Sequence, residues 1–163
     1  MKVLETERTS LVTVEDHHVA MLAQLWQNQD VRLYLGGIVE LDVAFQKVLA
    51  YVGQETHRTV FRRGSDEILG IVMLTPLEED MEISYLFFPE YWGLGYAKEA
   101  SSRLIRFGFE TLGCKQIFAV TQTQNLRSVK LLESLGMRLC ETFIEFSAEQ
   151  SKYRLGNPFL SVD

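Results

Sequence analysis

The residues best suited to chemistry fall in two short stretches, Met81–Ala100 (MEISYLFFPEYWGLGYAKEA) and Asn125–Met137 (NLRSVKLLESLGM). In the first, a strand pattern runs into Pro89, then into Gly93 and Gly95, then into a helical pattern. Pro89 has no N–H for a sheet ladder, so the strand is expected to be over or splayed by that point. Gly93 and Gly95 permit backbone angles and close approaches that a side chain would obstruct. The following helix opens with N–H groups that lack partners inside it and lie at the positive end of its dipole. Such an end receives anions, and a phosphate or pyrophosphate is the natural guest. The same residues also make a plain strand-to-helix turn with no ligand, because glycine spacing alone is a weak signal. In the second stretch Asn125 brings a neutral amide and Ser128 a hydroxyl. Alone, they read as a helix N-cap and its capping-box position.

In context the two stretches resemble a known family. Trp92-Gly93-Leu94-Gly95-Tyr96-Ala97 is similar to the pyrophosphate loop Q/R-x-x-G-x-G/A of the GNAT N-acetyltransferases, with Trp92 at the Q/R position. In the form Pro-x-Tyr-Trp-Gly-x-Gly-Tyr-Ala it resembles the RimJ/RimL-type branch, whose members acetylate protein N-termini or small amines. Asn125–Met137 resembles the family element N-x-x-S-x-x-L-Y-x-x-x-G-F, with Asn125 and Ser128 matching and Leu132 at the tyrosine position. Leu4-Glu5-Thr6-Glu7-Arg8 stands where that branch places a Leu-x-Thr-x-Arg strand. The resemblance runs from Leu4 to about Leu155.

The resemblance implies acetyl-CoA as co-substrate and direct transfer of acetyl from thioester to amine in a ternary complex. It places contacts to acetyl-CoA at Phe87, Phe88, Leu94, Gly95, Tyr96, Ala97, Lys98, Asn125 and Ser128. The Asn125 amide would bond the pantetheine arm, whose own amides present paired donors and acceptors. Backbone N–H groups near Phe87 and Phe88 would stabilise the tetrahedral oxyanion. Ser128 is the matching candidate to protonate the departing thiolate in place of the missing tyrosine. Glu82 is the candidate general base acting through water, with a partly buried structural carboxylate as the plainer alternative. Tyr34, in the connection between the first two helices, and Tyr85 are candidate acceptor contacts. For Tyr34 an ordinary surface loop is the alternative, and Tyr85 is expected to be a core or acceptor-site wall in preference to an acid. Two rival readings are a GNAT-fold acyl-CoA-binding sensor without catalysis and an interaction module whose loop binds nothing.

The elements needed to hold these residues can be read from periodicity. Leu4–Glu15 reads as a first strand. A helix capped by Asp16 is expected to run to about Asn28, with Val19, Leu22, Ala23 and Trp26 buried. A loop over Val31–Val39 and a helix over about Leu41–Glu55 follow, the latter with Val43, Ala44, Lys47, Val48 and Tyr51 at helical spacing. Arg58–Arg63, Glu67–Thr75 and Met81–Phe87 read as successive antiparallel strands, with a turn over Pro76–Asp80. From Ala97, the residues Ala100, Ser101, Leu104, Ile105, Gly108 and Leu112 share one helical face, and Gly113 ends the helix. Lys115–Thr121 is then a buried strand, parallel to Met81–Phe87 if the crossover is right-handed. The helix from Asn125 has Val129, Leu132 and Leu135 on one face and stops at Gly136. Arg138–Phe146 and Lys152–Leu155 close as a hairpin. This order fits an α+β fold. With the resemblance it implies a GNAT sheet, mixed but mostly antiparallel, splayed between its two parallel strands and flanked by helices on both faces.

Composition narrows the classes. The chain has 163 residues, 47% hydrophobic and 23% charged, which suits one globular domain over 1–163. No signal-peptide pattern opens it, and no apolar run approaches the ~20 residues of a membrane span. Cys114 and Cys140 lack metal-ligand spacing, so reduced core cysteines and a cytoplasmic setting are expected. A net charge of −6 argues against non-specific nucleic-acid binding and favours a cationic substrate. His17, His18 and His57 form no metal motif, so no metal is expected. No G-x-S-x-G elbow, third dinucleotide-loop glycine or Gly-Lys-Ser/Thr is found. A homodimer is compatible with the family resemblance.

Overall fold

The computed structural model describes residues 2–160. Eight strands make one sheet: β1 (Leu4–Glu5), β2 (Thr9–Thr13), β3 (His57–Arg62), β4 (Ile68–Leu77), β5 (Asp80–Phe87), β6 (Gln116–Gln122), β7 (Arg138–Glu145) and β8 (Ala148–Gly156). Their spatial order is β1-β2-β3-β4-β5-β6-β8-β7. Every neighbouring pair is antiparallel except β5 with β6. Five helices complete the fold: α1 (Val19–Trp26), α2 (Gln29–Arg32), α3 (Leu41–Leu49), α4 (Tyr96–Glu110) and α5 (Leu126–Ser134).

Period-two alternation decides which helix each strand residue meets. Val72, Leu74, Ile83 and Phe87 pack with Ala100, Leu104 and Ile105 of α4 and Leu132 of α5. Ile71, Met73 and Leu86 face the other way and pack with Leu22 and Trp26 of α1 and Ala44 and Val48 of α3. Helices therefore cover both faces, as the expected fold requires. Gly70 lets the end of β5 close on β4: a Cβ there would lie 2.3 Å from the Leu86 carbonyl oxygen.

Several boundaries differ from the sequence expectation, each for a local reason. The first strand is a hairpin, with Leu4 opposite Leu11 and Glu5 opposite Ser10. Alternation survives a tight turn, so periodicity alone did not reveal the break at Thr6–Arg8. Glu15, not Asp16, caps the first helical segment through a reciprocal capping box with His18, and Asp16–His18 is a 3-10 turn ahead of α1. The expected loop begins inside α2, whose N-cap Asn28 accepts hydrogen bonds from the Asp30 and Val31 N–H groups. α3 stops at Leu49, with only Ala44 and Val48 buried, so Val43 lies exposed and Tyr51 falls outside the helix. Pro76 stays within β4 opposite Met81. The turn comes at Glu78, which has a left-handed φ of 56°. α4 ends at Glu110, which leaves Leu112 exposed instead of on the buried face. β8 is longer than expected and lies between β6 and β7.

Candidate active site

β5 and β6 pair at only two positions, Met81 with Ile117 and Glu82 with Phe118, and then diverge. The gap opens into a cavity of about 390 Å3. The Phe88 N–H donates to the Leu69 carbonyl at 3.1 Å, which fixes the phase of the β4–β5 ladder. Alternation along an antiparallel ladder then turns the N–H and C=O groups of Ile83, Tyr85 and Phe87 toward β6. With β6 splayed away, this edge of β5 can receive an extended ligand. The Phe88 amide is held by Leu69, so it is not available to an oxyanion as expected. The Phe87 N–H faces the gap, while its carbonyl accepts the Trp92 indole N–H at 2.9 Å.

α4 opens onto the same cavity. Its N-cap is Gly95, left-handed at φ 84°, and no side chain caps it. Among the described residues the N–H groups of Tyr96, Ala97 and Lys98 find no acceptor, and the first helical bond is Glu99 N–H to the Gly95 carbonyl. Gly95, Tyr96, Ala97 and Lys98 all line the cavity. Leu94 does not. Its side chain is exposed, and its carbonyl accepts from Arg8 at 2.9 Å.

α5 supplies the opposite wall through Asn125, Arg127, Ser128 and Leu132. The Asn125 side-chain oxygen caps the helix by accepting the Ser128 N–H at 3.3 Å. Its amide nitrogen makes no hydrogen bond among the described residues, which leaves donors for a ligand. The hydroxyls of Ser128 and Tyr85 lie 2.6 Å apart. Burial pushes the Tyr85 phenol up to about 12, against the opposing effects of the Ser128 hydrogen bond and the Arg127 charge. Tyr34 lines the far side with Asp30 and Leu35. The Asn28 cap and an Arg32 hydrogen bond to the Gly37 carbonyl shape the segment that carries Tyr34.

Glu82, the candidate general base, stands apart from these residues. It lies at the closed base of the splay, opposite Phe118, and is not among the residues lining the cavity. Strand parity puts it on the Ser84 and Leu86 side, toward α1 and α3 rather than α4. Burial raises its carboxyl above the usual range, and the Lys152 charge offsets part of that rise.

Two arginine contacts near the site are not implied by the motifs, although Arg8 closes the Leu4–Arg8 stretch. Arg8, from the β1–β2 turn, pairs with Glu99 at 3.0 Å and stacks over Tyr96 at 4.4 Å. With its bond to the Leu94 carbonyl, it ties the glycine loop to the N-terminal hairpin. Arg127 lies over the Trp92 ring at 3.6 Å, joining α5 to the same loop. Nothing in local spacing marks either contact, although Trp92 in place of a polar residue is a trace of the second. Glu67 accepts from Arg62 and Tyr91, and Arg62 also donates to Tyr96, which braces the loop from β3 and the β3–β4 connection.

The sequence and the fold are similar to those of known proteins. Residues 8–138 match the family described as Acetyltransferase (GNAT) domain. The chain is 30% identical over 148 residues to the uncharacterized N-acetyltransferase p20 of Bacillus licheniformis, covering 85% of this chain and 83% of that protein. Its fold is similar to that of a GNAT-family acetyltransferase from Bacillus anthracis, with TM-score 0.87, 22% identity, and coverage of 96% and 99% of the two chains. It is also similar to spermidine N-acetyltransferase from Vibrio cholerae, solved with CoA and spermine, with TM-score 0.78, 17% identity, and coverage of 93% and 97%. The chain belongs to the GNAT acetyltransferase family.

Proposed function

We propose that this protein is a RimJ/RimL-type N-acetyltransferase that moves acetyl from acetyl-CoA to a primary amine, either a protein N-terminus or a small amine. The observation that carries this reading is the meeting of two unsatisfied backbone edges on one cavity. The free N–H groups of Tyr96, Ala97 and Lys98 suit a pyrophosphate. The open edge of β5 and the Asn125 amide suit a pantetheine arm. Lys98, Arg127 and Lys130 make the α4–α5 side of the cavity cationic, whereas Asp30 lines the side carrying Tyr34. A polyanion and an amine would thus enter from opposite ends.

Bound acetyl-CoA supplies an activated thioester, and the chain orients it and manages protons. The Phe87 N–H is the amide positioned to donate to an oxyanion. A protonated amine cannot attack, so its proton must leave first. Glu82, at the base of the splay on the acceptor face, acts as base through water, and its raised carboxyl suits it to hold a proton. Ser128 protonates the leaving sulfur. Cys114 and Cys140 are both free, which accords with the cytoplasm as the working compartment, although Cys114 is half-buried and Cys140 exposed, so neither is the core residue expected. Among the described residues no helix is long and apolar enough to cross a membrane.

Calorimetric titration with acetyl-CoA, followed by a thiol-release assay over a panel of amines and peptides, tests the proposal. Saturable binding with CoA release on one amine class is expected. No binding overturns it. Leu132, standing where many GNAT enzymes place a tyrosine, favours a second reading as an acyl-CoA sensor. Binding without release on any amine would select that reading.

A further inference from the structure

Tyr85 and Ser128 reach into the cavity from opposite walls, one from β5 and one from α5, with their hydroxyl oxygens 2.6 Å apart. Two hydroxyls bonded to each other use one proton internally and keep one O–H free. A phenol is a far stronger acid than an aliphatic alcohol, so Tyr85 donates to Ser128 Oγ and the free O–H is that of Ser128. The cap from Asn125 fixes the Ser128 backbone, and Leu132, buried in the core, anchors the helix beneath it.

We propose that Tyr85 and Ser128 form a two-hydroxyl relay that protonates the departing thiolate, with the strand tyrosine supplying the proton that no tyrosine at position 132 can give. The proposal rests on the acetyl-transfer reading. The amine lone pair attacks the thioester carbonyl carbon, and the ammonium of the tetrahedral adduct loses a proton to water. On collapse the C–S bond breaks and its electron pair goes to sulfur. Sulfur takes the Ser128 proton, Ser128 Oγ takes the Tyr85 proton, and the phenolate regains one from solvent. The net reaction is thioester plus amine to thiol plus amide. The Arg127 guanidinium, which favours the Tyr85 phenolate, offsets the transient charge. A phenol is protonated through the neutral range even before burial pushes this one up to about 12, so the relay is loaded when substrate binds.

The test uses the amine that gives CoA release with the wild-type protein. Tyr85→Phe, which keeps ring and packing, is expected to lower kcat at least ~10-fold while the acetyl-CoA Kd stays within about twofold. Ser128→Ala is expected to match it, and the double variant to fall no further than the worse single, because two members of one relay do not add. In mixed H2O/D2O the wild-type kcat is expected to follow a bowed proton inventory, and that of Tyr85→Phe a straight one. A wild-type kcat in Tyr85→Phe overturns the relay, as does full additivity of the two losses. A raised acetyl-CoA Kd with kcat unchanged assigns Tyr85 to binding and overturns it as well. A wild-type protein that binds no acetyl-CoA overturns the acetyl-transfer reading itself, a failure separate from any effect of these variants.

Discussion

Two helix N-termini face the same cavity, and the sequence treats them in opposite ways. α4 begins at a left-handed glycine with no side-chain cap, whereas α5 begins at Asn125, whose side chain takes up the Ser128 N–H. Eight residues of α4 are buried, and in α5 only Leu132 is. A side-chain cap contributes about 1 kcal/mol to a helix. α4 does without it because tertiary packing already holds the helix, which leaves its first N–H groups for a ligand. α5, tethered lightly, uses its cap for itself and keeps only the outer amide of Asn125 for anything else. A missing cap is informative where a helix is otherwise well anchored.

The largest effect should come from filling the bare end. Gly95→Asp places a carboxylate where an anion is proposed to sit, and it forces a side chain into a left-handed conformation that costs about 1–2 kcal/mol. Its Cβ would also meet the Arg8 guanidinium at 3.1 Å. Acetyl-CoA affinity is expected to drop by ~100-fold or more while circular dichroism shows a folded protein. Titration giving wild-type affinity would erase the distinction between the two helix ends.

Anchorage can be tested next. Leu132 is 1% exposed and is the single buried residue of α5. Leu132→Ala should destabilise the protein by ~2–5 kcal/mol in denaturant unfolding, with the cavity left behind adding to the lost transfer energy. A loss below ~1 kcal/mol would show that α5 is held by something other than this side chain.

The same contrast explains what was legible in the sequence. Gly93, Gly95, Asn125 and Ser128 could be read because each acts through local backbone geometry, which sequence spacing encodes. The central strands and α4 could be read because their apolar positions keep one period over many residues. Arg8 and Arg127 could not, since their partners Glu99 and Trp92 lie far along the chain. Strand alternation sets the face of Glu82, but its place at the closed end of the splay depends on where β5 and β6 stop pairing. The Phe88 amide is excluded from the oxyanion role for a related reason. Its acceptor, Leu69, precedes Gly70 on β4, and only the ladder register shows that the amide is taken.

Glu82 offers a smaller and pH-dependent test on the acceptor side of the sheet. Its carboxyl is raised by burial first, with Lys152 opposing. A carboxyl raised on folding stabilises fully below its unfolded value of ~4.3, and that contribution is lost as pH rises through the folded value. Glu82→Gln removes the desolvated charge, so its Tm should exceed that of wild type at neutral pH and the difference should shrink on acidification. If Glu82 is the base, wild-type kcat rises with pH through the same group and that limb is absent in the variant. A retained limb would take Glu82 out of the proton path.

The smallest effect separates the two duties of Asn125, cap and ligand donor. Asn125→Ala removes both, so it should cost about 1 kcal/mol of stability and also weaken acetyl-CoA binding. Asn125→Asp keeps the oxygen that accepts the Ser128 N–H and adds a negative charge at the positive end of the α5 dipole. Its melting temperature should therefore equal or slightly exceed that of wild type. It has no amide N–H to offer, and its charge faces the cavity, so acetyl-CoA affinity should still fall several-fold. Stability and affinity moving apart in the aspartate variant, and together in the alanine variant, is what a shared residue requires. If the aspartate variant binds as well as wild type, Asn125 is a cap only, and every ligand contact on this side must come from the Arg127–Ser128 turn.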